Sequence, residues 1–167
     1  MFLHIPKCGG TSISTALYGR RMGHLTYSQL REISQTLPIT TMLREPVDRF
    51  ISSLNFAFSG GHGGEYMGPK FNSIAQVFQY LETSDEKDLD PIFRRQSYYT
   101  QNLMDDKNLG FLGKIDNQKS VASFCDSYSI SLKKLNTSNK KLFKVNSTIE
   151  DFVTEFYAQD VTLYNKT

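Results

Sequence analysis

Apolar residues recur along this chain with two spacings, and the two alternate. Met1–Ile5 is a short apolar run closed by Pro6, which reads as a strand, and Ile13, Ala16 and Leu17 follow at helical spacing with Gly19 placed to end that helix. Thr26-x-x-Gln29 has the form of a capping box opening a second helix. Pro38–Leu43 is rich in β-formers, and Arg44-Glu45-Pro46 ends it, with Pro46 suited to the first turn of a helix that carries Val47, Phe50, Ile51, Leu54 and Phe58 on one face. Ser73-x-x-Gln76 introduces another helix with the stripe Ile74, Val77, Phe78, Leu81. Phe111–Ile115 reads as a late strand, followed by a helix bearing Val121, Phe124, Cys125 and Tyr128. Ser147-x-x-Glu150 is expected to cap a last helix whose face runs from Ile149 through Phe152, Val153, Phe156, Tyr157 and Val161 to Tyr164. Strands alternating with helices predict an α/β protein with a parallel sheet covered by helices on both faces.

Length and composition restrict this picture. The 167 residues, 39% hydrophobic and 22% charged, suffice for one well-buried domain spanning 1–167 and not for two of ordinary size. A net charge of +2 gives no argument for nucleic acid. No apolar run approaches the roughly 18 residues of a membrane span, and no charged-then-apolar leader precedes the first strand, so a cytoplasmic protein without a membrane span is expected. Cys8 and Cys125 have no metal-site or disulfide spacing and are expected to be reduced thiols, with no metal bound. Residues 59–68, Ser-Gly-Gly-His-Gly-Gly-Glu-Tyr-Met-Gly, are too glycine-rich for regular structure, and a lid over a substrate and a bare surface excursion are equally open readings.

The chemistry gathers in two segments. Lys7-Cys8-Gly9-Gly10-Thr11-Ser12 runs from the first strand into a helix start, so that backbone N–H groups and the Lys7 ammonium can cradle an anion. The lysine precedes the glycines, whereas the common nucleoside-triphosphate loop places it after them. Arg44, at a strand end, and Ser52, on the helix that follows, can converge on a second phosphate.

Together, Pro6–Ser12 and Leu43-Arg-Glu-Pro-Val-Asp-Arg-Phe-Ile-Ser52 resemble the two signature elements of the sulfotransferases that use 3′-phosphoadenosine 5′-phosphosulfate (PAPS), and most closely the carbohydrate branch that includes heparan sulfate 2-O-sulfotransferase and the chondroitin sulfotransferases. The resemblance implies a P-loop-like three-layer α/β/α fold and PAPS as donor, leaving as adenosine 3′,5′-bisphosphate. It implies a loop of Lys7, Cys8, Gly9, Gly10, Thr11 and Ser12 on the 5′-phosphosulfate, and Arg44 and Ser52 on the 3′-phosphate. Asn136–Lys141 is similar to the family's loop near that phosphate, which adds Asn136 and Ser138. Gly23-His24-Leu25-Thr26-Tyr27 resembles the segment bearing the catalytic base, which makes His24 the candidate base beside Lys7 at the leaving group.

His62, Glu65, Glu45 and Asp48 compete with His24 for the role of base. His4 reads as a core or loop-supporting residue, and Arg49 as a structural ion-pair partner. Arg94, Arg95 and Tyr98, with His62, suit a carbohydrate or polysaccharide acceptor by their mix of charge and aromatic surface. A P-loop-type kinase and a non-catalytic nucleotide-binding protein are the alternative functions.

Overall fold

The computed structural model describes residues 1–61, 66–133 and 142–167. Along the chain run α1 (Gly10–Tyr18), α2 (Tyr27–Ile33), β1 (Ile39–Leu43), α3 (Pro46–Phe58), α4 (Ile74–Thr83), α5 (Gln96–Tyr99), β2 (Leu109–Lys114), α6 (Gln118–Tyr128), α7 (Ser147–Phe156) and α8 (Ala158–Lys166). The α/β class is as the pattern predicts.

β1 and β2 pair in parallel, Thr40 opposite Phe111 and Leu43 opposite Lys114. The opening segment lies on the other side of β1, where the Thr40 N–H donates to Met1 O (2.8 Å) and the Leu3 N–H to Thr40 O (2.9 Å), but it forms a single bridge, Phe2 with Thr40, and no full strand. The regular sheet among the described residues is therefore two strands, smaller than the alternating pattern suggests. The outer edge of the opening segment is closed by side chains. Phe2 N–H donates to the Tyr18 hydroxyl (3.0 Å), and His24 Nδ1 is 2.9 Å from His4 O.

Pleating divides the core. Leu3, Ile5, Ile39 and Leu43 pack with Leu30 of α2, Tyr99 of α5 and Leu163 of α8, while Phe2 and Met42 pack with Ile13 of α1 and Phe124 of α6. A separate aromatic cluster joins α3, α4 and α7 through Phe50, Leu54, Val77, Leu81, Ile149 and Val153.

Local signals explain most helix ends. Gly19 closes α1 at φ 70°, in the left-handed region, its N–H on Thr15 O. Thr26 and Gln29 form the complete capping box of α2. Pro46 opens α3 under a Glu45 carboxylate that accepts from the Asp48 N–H. Two expectations change. Asn146, not Ser147, caps α7, its side chain accepting from the Ile149 N–H. The last helix also breaks at Tyr157, whose ring is buried and whose hydroxyl donates to Phe93 O (2.7 Å). The apolar face thereby splits: Ile149, Val153 and Tyr157 join the cluster on α3, while Leu163 and Tyr164 join the one under β1. None of the described helices is long and apolar enough to cross a membrane.

Candidate functional site

The loop after the opening segment turns by alternating hand. Lys7 (φ 67°) and Gly9 (φ 72°) are left-handed, and Cys8 between them is not. A lysine in that region costs about 1–2 kcal/mol, strain of a kind concentrated at ligand clamps. α1 starts at Gly10 with no side chain capping it and no acid in its first turn, so its dipole is not neutralised from within. Thr11 and Ser12, half-buried, lie in that first turn.

The glycine pair has a packing reason beside the chemical one. A Cβ on Gly10 would stand 1.7 Å from the His4 ring, and one on Gly9 would meet Ile115 at 2.9 Å. His4 is therefore a loop-supporting residue. It is buried, with Nδ1 2.8 Å from Met22 O, and burial, aided by the neighbouring His24 and Arg21 charges, lowers its pKa to about 4.

Arg44 leaves the end of β1 and places its Nη1 3.2 Å from Lys7 O, which unites the two sequence segments in one site. Arg49, only 2% exposed, donates from Nε to Pro6 O (3.1 Å) and from Nη2 to Arg94 O (2.7 Å). Lys7 Nζ lies over the Phe56 ring at 3.9 Å. Arg49, Ser52 and Phe56 are successive positions of one helical face; Arg49 and Phe56 touch Pro6 and Lys7, and half-buried Ser52 lies between them in the spacing of the helix.

Arg49 forms no ion pair among the described residues, contrary to the sequence expectation. Neither does Lys7 or Arg44; the ion pairs there are Arg31–Asp106 and Arg95–Glu86. Burial, then the charges of Arg44 and Arg49, pull the Lys7 ammonium down to about 8. Three cations thus share a half-buried corner with no carboxylate in contact, an arrangement that a bound anion relieves.

Cys8 contributes no free group to this corner. Its N–H turns back to Ile5 O (3.3 Å), its buried Sγ donates to Gln96 Oε1 (3.2 Å), and burial pushes the thiol up to about 11.

No protein-family model, curated protein or solved structure matches this chain. The chemistry rests on the site itself.

His24 lies on the link between α1 and α2, open to solvent over part of its surface but with its ring packed 4.2 Å from that of His4. A carbonyl only accepts, so the contact with His4 O fixes the proton on Nδ1 and leaves the lone pair on Nε2. Its pKa lies below the usual histidine value, first through desolvation, opposed by that hydrogen bond, and then through the charges of Arg49 and Lys7, which reach it.

Arg94 donates to Leu89 O (2.8 Å) and Lys87 O (2.7 Å), and Arg95 pairs with Glu86 while donating to Phe156 O (3.0 Å), so both guanidiniums serve the fold. Arg95 and Tyr98, with Glu86, Ser97, Thr100 and Gln101, line an open groove of about 500 Å³. His62, Glu65, Asn136 and Ser138 lie outside the described residues. No group of three or more His, Cys, Asp or Glu that could hold a metal occurs among the described residues.

The sequence reading missed Gln96, which is fully buried between Arg44 and Cys8, and Asp160, whose carboxylate accepts from the Gln96 and Ser97 N–H groups (2.7 and 2.8 Å). Neither has a local signal, because their partners lie 52 to 88 residues away for Gln96 and 63 to 64 for Asp160.

Proposed function

We propose that this chain is a PAPS-dependent sulfotransferase, a single P-loop-like α/β/α domain acting on a carbohydrate hydroxyl. The observation that carries the reading is the contact of Arg44 with the Lys7 carbonyl, which gathers Lys7, Arg44 and Arg49 on one loop without a carboxylate in contact. A nucleotide with phosphates at both the 5′ and 3′ positions suits that charge. The N–H groups of α1 and the Lys7 ammonium take the 5′ end, and Arg44 with Ser52 takes the 3′-phosphate.

In this reading the acceptor oxygen attacks sulfur in line. The bond between sulfur and the bridging phosphate oxygen breaks, and the acceptor proton passes to His24 Nε2. Charge growing on the departing bisphosphate is met by Lys7 and the α1 N–H groups, so preorganised electrostatics carry the step. The groove beside Tyr98 supplies hydroxyl and amide groups suited to a sugar.

The test is calorimetric titration with adenosine 3′,5′-bisphosphate, adenosine 5′-monophosphate and ATP with magnesium, followed by transfer of labelled sulfate from PAPS to a panel of polysaccharides. Preference for the bisphosphate and labelled product are expected. Preference for ATP with magnesium would make the chain a kinase, and bisphosphate binding without product on any acceptor would make it a nucleotide-binding protein.

A further inference from the structure

Arg44 follows the last residue of β1 that pairs with β2, where Ile115 N–H closes the ladder on Leu43 O. The polar groups of its own backbone are taken instead by one side chain. Gln96 Oε1 accepts from the Arg44 N–H at 2.9 Å, and Gln96 Nε2 donates to Arg44 O at 2.8 Å. A carboxamide carries the same donor and acceptor as a peptide, so Gln96 does here what a neighbouring strand residue would do. The same Oε1 accepts from Cys8 Sγ, which ties the anion loop to the clasp. The clasp is itself fixed, since Asp160 holds the Gln96 and Ser97 N–H groups, and the Thr100 N–H and hydroxyl both donate to Gln96 O at 3.1 Å. Gln96 is 0% exposed and Asp160 is 1% exposed, so neither touches a ligand from solvent.

We propose that Gln96, steadied by Asp160, is a positioning residue that sets the backbone of Arg44 and so aims its guanidinium at the 3′-phosphate, an inference that rests on the nucleotide reading of the site. Gln96 bonds both peptide units that flank the Arg44 Cα, so the Arg44 backbone cannot rotate without breaking these bonds, and the loop bearing Lys7 is held to the same side-chain amide through Cys8. Its effect on binding then passes through the Arg44 side chain. A merely structural role would weaken every ligand alike and would not depend on whether Arg44 is present.

The experiment is a double-mutant cycle on the full chain. Binding of adenosine 3′,5′-bisphosphate and of adenosine 5′-monophosphate is titrated calorimetrically for wild type, Gln96→Met, Arg44→Ala and the double variant, each checked for a cooperative melting transition. Gln96→Met is expected to weaken the bisphosphate about ten-fold or more and the monophosphate less than about three-fold, with no further loss when Arg44 is already alanine. Gln96→Glu keeps an acceptor for the Arg44 N–H but has no donor for Arg44 O, and is expected to fall between. Should Gln96→Met not fold, Gln96→Glu and Asp160→Asn carry the same cycle. Losses that add in the Arg44→Ala background, or that are equal for the two nucleotides, overturn the positioning role alone. A wild type that binds neither nucleotide overturns the site reading, and this inference falls with it.

Discussion

Lys7 combines a strained left-handed backbone with burial and two guanidinium neighbours that raise the cost of keeping it charged without a ligand, a cost that the Phe56 ring under its ammonium offsets in part. With its pKa near 8, affinity for the bisphosphate should decline as pH rises from about 7 to 9, because the neutral amine has no charge to offer. Titrations at both pH values check this, and a flat profile would remove the ammonium from the site. Lys7→Ala should lower turnover more than donor affinity, since charge on the leaving oxygen grows only in the transition state. For His24, deletion of the ring should cost about a hundred- to ten-thousand-fold in kcat. His24→Asn is the better variant, because its amide N–H can still donate to His4 O while offering no base. The rate should fall with acid only below the usual histidine pKa, since the imidazole titrates lower than normal here and must be neutral to take a proton. Full activity in His24→Asn would exclude it as base.

At the level of elements, the turn into α1 depends on His4 filling the space that a Gly10 side chain would need. Gly10→Ala should destabilise the fold by about 3 kcal/mol through overpacking, and His4→Ala should partly restore it in the double variant. Urea denaturation measures both. His4 also sets an acid limit. Its folded pKa of about 4 lies below the unfolded 6.5, so the unfolded chain binds the proton first, and up to about 3 kcal/mol is lost as pH falls from 6.5 to 4. His4→Asn, which cannot titrate there, should show a correspondingly shallower decline. Caps and turns of this kind were legible in advance: Gly19, the Thr26–Gln29 box and Pro46 act over a few residues, and local chemistry decides them. The break at Tyr157 was not, because the hydroxyl that fixes it reaches Phe93, 64 residues away. The internal partners of Arg94 and Arg95 were not read from the sequence either, although Leu89, Lys87 and Glu86 lie only five to nine residues away, because a loop without periodicity gives no register by which to pair them.

Across the whole molecule, the loop and the arginine at the end of β1 were readable as two segments, but what joins them was not. Arg44 to Lys7, Arg49 to Pro6, Gln96 to Arg44 and Cys8 to Gln96 span 37, 43, 52 and 88 residues. Contacts so distant in sequence carry the entropy cost of closing the intervening loops, so the expectation is that this corner assembles late in folding. On the proposed nucleotide reading, the ligand is then expected to stabilise interactions that form after the folding transition state. Saturating adenosine 3′,5′-bisphosphate should therefore slow unfolding in stopped-flow urea jumps while leaving the refolding rate within about two-fold of the free protein, so that the ligand acts as a brake on opening and not as a template for closure.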